Sequence, residues 1–85
     1  MRVAYDNEVD ALYIPVRPGV PITESIVVDE LRTVDVDQEG NAVGVEVFFA
    51  SKGVRLHDLS IRFALEPFAP DFRKIEMHRF VPLGR

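Results

Sequence analysis

Acidic side chains recur at every second position in the middle of the chain, with the spacing of a calcium-binding loop. Asp35, Asp37 and Glu39 alternate up to Gly40, and Glu46 follows six residues after the glycine. An EF-hand loop needs oxygen ligands at alternate positions, a glycine at its bend and a distal bidentate glutamate. That loop lies between two helices, whereas the residues on both sides here alternate with the period of a strand. We therefore expect an acidic hairpin, with no bound metal and no cofactor.

Few residues are candidates for acid–base or nucleophilic catalysis. His57 and His78 are the two histidines, the side-chain type whose ordinary pKa lies near neutrality. No serine lies in a nucleophile motif, and the sequence contains no cysteine. We interpret His57 as a surface residue on the polar side of a helix, and we do not expect an enzyme.

A second cluster of candidate residues surrounds the first acidic turn. Tyr5 and Tyr13 flank a turn that contains Asp6 and Asp10. The two rings either frame an aromatic-walled pocket with Asp10 or pack across neighbouring strands. The pocket, together with His57, defines one functional hypothesis, a small-molecule, metal-binding or hydrolytic site.

The other hypothesis, which we favour, is a non-catalytic protein-interaction or regulatory module. The candidate interaction or ligand surface consists of Tyr5, Asp6, Asp10, Tyr13, Asp35, Asp37, Glu46 and His57.

The elements that position these residues follow from the hydrophobic pattern. Val34 and Val36 share one face of a strand before the acidic turn, and the odd-numbered residues from Val43 to Phe49 share one face of a strand after it. The turn at 37–41 suits a hairpin, with Gly40 at a positive φ. Further strands are predicted at 2–6, 11–16 and 24–29.

The pattern changes after residue 50. Leucines and phenylalanines between 55 and 65 recur at helical spacing but also alternate as in a strand. We favour a helix at 55–65, with Asp58 and Arg62 as an i,i+4 pair, because a helix there would cover one face of the sheet. Phe68, Phe72 and Phe80 are expected to pack back on the domain, and 74–80 to add a short strand.

The predicted fold is therefore α+β and rich in β-structure. It consists of an antiparallel meander sheet of about five strands, one short helix over the sheet and a C-terminal aromatic tail. We expect residues 1–66 to form a single domain and residues 67–85 an extension that packs on it.

Charge and size indicate the kind of partner. Residues 1–50 hold three Lys/Arg and ten Asp/Glu, and residues 51–85 hold seven and four. The acidic balance argues against nucleic acid, and no apolar run is long enough for a membrane span. With 85 residues and no disulfide, the chain has a small core. We expect a cytoplasmic homo-oligomer, most simply a homodimer, and a basic protein is the second candidate partner.

Two segments resemble a known family. Residues 5–14 (Tyr-Asp-Asn-Glu-Val-Asp-Ala-Leu-Tyr-Ile) are similar to its opening, and residues 34–47, followed by Ala50-Ser51, are similar to its second half. This is the small prokaryotic family catalogued as domain of unknown function 2283. The resemblance implies a compact β-rich fold with a short helix and no established activity. Members of such families are often encoded next to small toxin-like proteins, so it also implies a regulatory or antitoxin-type role.

Overall fold

Five antiparallel strands form one sheet in the computed structural model, which describes residues 1–84. The strands are β1 (Ala4–Asp6), β2 (Ala11–Pro15), β3 (Glu24–Val27), β4 (Arg32–Val36) and β5 (Ala42–Phe48). Their order across the sheet is β1-β2-β5-β4-β3. The longest strand, β5, therefore lies at the centre, with β1 and β3 at the two edges.

This order corrects the predicted meander. A meander would place β3 beside β2, but β5 occupies that position, with Leu12 opposite Val47 and Ile14 opposite Val45. The physical reason lies in the composition of the strands. β5 has Ala42 to Val45 all buried, and a strand of this kind is stabilised by a neighbour on each side. β3 is short and mostly exposed, so it is tolerated at an edge.

The central hairpin is formed as predicted. β4 pairs with β5, and the Asp37 and Asn41 backbones close the turn through a hydrogen bond of 2.9 Å from the Asp37 N–H. Gly40 has a φ of 83°, as the turn chemistry indicated. A bulge between Asp35 and Val36 in the β4 register places one extra β5 residue in the ladder, so Ala42 and Val43 are both buried.

The helix predicted at 55–65 is present but shorter. This helix, α1, spans His57–Arg62. It ends because Ala64 adopts a left-handed φ of 54°, and the Leu65 N–H then reaches back to the Ser60 carbonyl at 2.7 Å. The predicted i,i+4 pairing of Asp58 with Arg62 is replaced by pairing of Asp58 with Arg32, an interaction across the fold.

The strand predicted at 74–80 is wrong, because a second helix, α2 (Ala69–Met77), covers most of this segment. Pro70 lies in its first turn, where a missing N–H costs nothing. Phe72 and Ile75, three residues apart, share the buried side of α2. Short 3₁₀ turns at Ala50–Lys52 and Glu66–Phe68 precede the two helices.

The hydrophobic core lies between one face of the sheet and the two helices. Its sheet residues include Leu12, Ile14, Val34, Val45 and Val47, and its other residues include Leu56, Leu59, Phe72, Ile75 and Phe80. Phe49, expected on the core side, is instead 53% exposed with a left-handed φ of 53°, because β5 ends one residue earlier and the chain bends into the 3₁₀ turn. No helix within residues 1–84 has the length and apolar character needed to cross a membrane.

Candidate functional site

The second face of the sheet, which we call the open face, carries no helix among the described residues. Register and alternation place twelve strand residues on it: Ala4, Asp6, Ala11, Tyr13, Pro15, Ser25, Val27, Thr33, Asp35, Gly44, Glu46 and Phe48. Three of these are acidic and none is basic. The rest are apolar, small or hydroxyl-bearing, and Val27 is 74% exposed. The open face is thus both acidic and partly apolar.

Tyr13 lies across the centre of the open face. Its position is set by Gly44 on the neighbouring strand, since a Cβ at Gly44 would overlap the phenol oxygen and Cζ of Tyr13. The ring thereby covers Gly44, which is buried, and its hydroxyl donates to Asp35 Oδ2 at 3.3 Å. The other Asp35 oxygen accepts from the Ser25 hydroxyl at 2.5 Å. Three strands are therefore joined by side chains on this face.

Glu46 stands beside this group with no partner of its own. It is directly opposite Tyr13 on one side and Thr33 on the other. Within residues 1–84 it makes no hydrogen bond and no ion pair. The pKa of the Tyr13 phenol is raised by its partial burial first, and then by the nearby negative charges of Asp35 and Glu46. The surroundings of the ring therefore have a negative potential.

A shallow depression of about 570 Å³ adjoins Tyr13 at the β1–β2 end of the open face. Asp6 and Glu46 both line it, and no basic residue does. Tyr5 on β1 also lines the depression, but its ring packs on Phe80 on the core side, with centroids 4.9 Å apart. The two tyrosines expected to frame one pocket therefore present their phenols on opposite faces of the sheet.

Asp10 is buried and joins the first turn to the segment after β5. Its carboxylate accepts from the Tyr5 hydroxyl at 2.7 Å, from the Ser51 N–H at 3.0 Å and from the Ser51 hydroxyl at 2.6 Å. Its own backbone is left-handed, with a φ of 57°. Because both oxygens accept from these donors, the geometry is that of a structural tie.

Asp6 and Asp37 bind the backbone of their own turns. Asp6 accepts the Glu8 N–H at 3.0 Å. Asp37 accepts the N–H groups of Glu39 and Asn41, each at 2.9 Å, and these backbone hydrogen bonds lower the pKa of Asp37. The spacing that resembles a calcium loop is therefore used to close a hairpin turn.

His57 lies on the other side of the molecule from Tyr13. It is exposed at the start of α1, which packs on the core face, and it lines a cavity of about 260 Å³ with Arg73 and Glu76. The structure thus does not unite Tyr13 and His57 in one site. In the described part of the chain, no three His, Asp or Glu side chains are grouped so as to hold a metal ion.

Arg32, the cation with the most hydrogen bonds among residues 1–84, was not predicted from the sequence. It is 5% exposed and binds Asp29 through Nε and Nη2, Asp58 through both Nη atoms at 2.6 and 2.9 Å, and the Arg55 carbonyl. These hydrogen bonds lower the pKa of Asp29 and of Asp58. One signal in the sequence could have indicated its burial. Arg32 is two residues before Val34, so in a strand both side chains lie on the same, core-facing side.

Ser51 and Ser25 were also missed as partners. Each binds a carboxylate distant in sequence, Asp10 and Asp35 respectively. A single serine does not contribute to a hydrophobic pattern. Its hydrogen-bond partner can therefore be identified only once the order of the strands is known.

Comparison with known proteins identifies a family whose model matches more than half of the chain. The family model described as Protein of unknown function (DUF2283) matches residues 2–51. No curated protein and no solved structure matches the chain. The matched region contains all five strands and extends to Ser51, the partner of Asp10, whereas both helices lie outside it.

Proposed function

The chain belongs to the family described as Protein of unknown function (DUF2283). We propose that it is a non-catalytic protein-interaction module whose open face binds a basic protein partner. The observation that carries the proposal is the open face itself. It lies wholly within the family match, and no element of the described chain covers it. A regulatory role, such as that of an antitoxin-type partner of a small basic protein, fits a module of this kind.

The composition of the open face supports a protein as its occupant. Tyr13, Val27 and Phe48 supply apolar and aromatic contact area, and Tyr13 is of a type enriched at the centre of interfaces. Asp6, Asp35 and Glu46 supply negative charge with no basic residue among the strand positions. Opposite charge on the partner would favour both its encounter and its orientation.

Two copies of this face are a poor match for each other. Three carboxylates per copy would be brought against three of the same sign, and like charges at close range are unfavourable. A basic protein is therefore the occupant that the charge selects.

The test is a pair of variants that introduce the same side chain on opposite sides of the molecule. Thr33→Arg places a bulky cation in the middle of the open face, and Ile61→Arg places it on exposed α1. Affinity purification of the tagged protein from its own cells should recover a basic protein with the native chain and with Ile61→Arg, but not with Thr33→Arg. The binding should then be reproduced with the purified partner. Equal binding of that partner by both variants would overturn the proposal.

A further inference from the structure

The open face has an aromatic ring at its centre, which we call the platform. The hydroxyl end of the Tyr13 ring fills the space above Gly44 that a Cβ would occupy, so the ring is held close to the sheet. The hydroxyl is held by Asp35 at 3.3 Å, and Asp35 is held in turn by Ser25. This platform is therefore fixed in orientation before any partner arrives.

Carboxylates lie on two sides of this platform. Asp35 is at the hydroxyl end of the ring, and Glu46 is the direct cross-strand neighbour of Tyr13. Glu46 is the one without a partner in residues 1–84, and it also lines the depression that it shares with Asp6. A cation over the ring would meet the face of an aromatic quadrupole and one uncommitted carboxylate at once.

The shape of the site selects the type of cation. A small metal ion needs several convergent oxygen ligands, and none of the described residues forms such a group. A guanidinium is planar, stacks on aromatic rings and binds a carboxylate with paired N–H groups. A lysine ammonium is more strongly hydrated and lacks the planar fork. The depression of about 570 Å³ beside Glu46 has room for the aliphatic part of such a side chain.

We propose that Tyr13, Glu46 and Asp35 form an anchor for an arginine side chain of the basic partner, with the guanidinium stacked on the outer side of the Tyr13 ring and paired with Glu46. This inference rests on the proposed function and names the chemical group that the open face recognises. Gly44 is part of the anchor because it lets the hydroxyl end of the ring approach the sheet, and Ser25 is a positioning residue that acts through Asp35.

The experiment is an NMR titration of the ¹⁵N-labelled chain with N-acetyl-arginine-N-methylamide. The matched control ligand is the citrulline analogue, which has nearly the same shape and no charge. The arginine compound should produce saturable shifts centred on Tyr13, Gly44 and Glu46, with an affinity in the millimolar range, and should bind about tenfold more tightly than the citrulline compound.

Glu46→Gln should weaken binding of the arginine compound about tenfold, while Glu66→Gln, on the helical side, should leave it unchanged.

A second pair of variants tests the role of the ring. Tyr13→Phe keeps the aromatic face and should retain most of the binding, whereas Tyr13→Leu should lose it, with circular dichroism confirming that both variants are folded. Equal shifts with the citrulline compound, or full binding by Glu46→Gln, would overturn the anchor. If Thr33→Arg abolishes partner binding while the arginine compound fails to bind, the anchor is refuted and the interaction module stands. If the arginine compound binds as described but the partner is unaffected by Thr33→Arg, the open face binds a guanidinium but not the partner, and both the interaction module and the anchor's part in it are refuted.

Discussion

Asp10 fastens the turn of the first hairpin to Ser51, just beyond β5. Its carboxylate accepts hydrogen bonds from the Tyr5 hydroxyl and from the N–H and hydroxyl of Ser51. Only 1% of the Asp10 surface is exposed to solvent. Asn at position 10 also tolerates the left-handed φ. However, Asp10→Asn replaces one carboxylate oxygen with an NH₂ group, which would face a hydrogen-bond donor of Tyr5 or Ser51. We expect a loss of about 1–3 kcal/mol in the free energy of unfolding, measured by urea denaturation.

The matched control for this change is Asp6→Asn. Asp6 is exposed and accepts one N–H in its own turn. Asp6→Asn should lower the free energy of unfolding by less than about 0.5 kcal/mol, as is usual for a surface substitution. Equal effects at the two positions would show that the Asp10 hydrogen bonds contribute no net stability.

The contact between Tyr13 and Gly44 predicts a strong coupling between these two positions. Gly44→Ala alone should destabilise the chain by more than about 1 kcal/mol, because the new Cβ displaces the ring. With Tyr13→Ala already present, Gly44→Ala should be neutral or stabilising, since alanine is less flexible than glycine in the unfolded chain. A double-mutant cycle by urea denaturation measures the coupling, and additive effects would contradict the close contact.

Single residues were the hardest level to predict from the sequence. The role of Gly40 was predictable because a turn has a local chemistry. The roles of Gly44, Ser51 and Arg32 depend on neighbours brought together by the strand order, and local sequence does not specify that order. Tyr5 and Tyr13 were expected either to frame one pocket or to pack across neighbouring strands, but the register pairs Tyr5 with Leu12 and Tyr13 with Ala4, so the two rings lie on opposite faces.

Among the elements, the β4–β5 hairpin depends most on one backbone angle. Gly40 has a φ of 83°, and nothing lies within 4 Å of the position where its Cβ would be. Gly40→Val therefore introduces strain and no clash, and it should destabilise by more than about 1 kcal/mol. Gly40→Asn, which tolerates this conformation better, should cost less. A denaturant melt that shows no difference between the two variants would mean that the turn has changed its type.

The connection between β4 and α1 should be sensitive to acid. Arg32 lowers the pKa of Asp29 and Asp58 in the folded chain, so the unfolded chain binds more protons at acidic pH. Their contribution to stability is complete above the unfolded pKa of about 3.9 and is lost as the pH falls through the lower folded values. The contribution of Asp58 is modest, less than about 1 kcal/mol, since its side chain is 57% exposed.

Asp58→Asn is the variant that tests this connection. It should flatten the fall in stability below about pH 4, followed by urea denaturation at a series of pH values. Asp71→Asn on α2 is the matched control and should keep the native slope. An unchanged slope in Asp58→Asn would show that the Arg32 pairing is not coupled to folding.

The elements themselves were largely predictable, and the errors have local causes. The strands were found because β-branched residues alternate, and α1 because leucines recur with a helical period. The strand expected at 74–80 became part of α2 because burial of Phe72 and Ile75 on one helix side outweighs the weak local alternation. The meander was predicted because strands that are consecutive in the sequence are usually neighbours in a sheet. It was wrong because β2 pairs with β5 through apolar residues that are far apart in the sequence.

At the scale of the whole molecule, negative charge is concentrated on one side of the sheet. Glu46→Gln removes a carboxylate that has no partner in residues 1–84 and lies near Asp35, so it should stabilise the isolated chain by a few tenths of a kcal/mol. The gain should be present at low salt and should nearly disappear at about 0.5 M salt, where the screening length falls to a few ångströms. Urea denaturation, which does not itself add ions, is the suitable measurement. A gain independent of salt would mean that repulsion is not its cause.

Self-association remains a prediction of the sequence that the structure makes more specific. Without a partner, a second copy can offer the open face the cationic side of α2, where Arg73 and Lys74 are exposed and Met77 is 84% exposed. Because α2 and the open face lie on opposite sides of the sheet, this contact is head-to-tail, and we expect dimers and larger oligomers at tens of micromolar that dissociate as salt is raised, measured by light scattering after gel filtration. Arg73→Glu with Lys74→Glu should give a monomer, and Arg62→Glu, on α1, should not. A monomer at low salt for the native chain would contradict this prediction.

The central position of β5 has a consequence for the order of events during synthesis. β1 and β2 can pair as soon as they are made, and β3 and β4 can do the same, but the two hairpins have no edge in common until residue 48 is available. Their joining then closes a loop of some thirty residues between β2 and β5, a step that is slow compared with local pairing. A nascent chain stopped short of residue 42 would therefore expose two separate hairpins with apolar edges. Such a fragment would be prone to pair with other chains and in need of a chaperone.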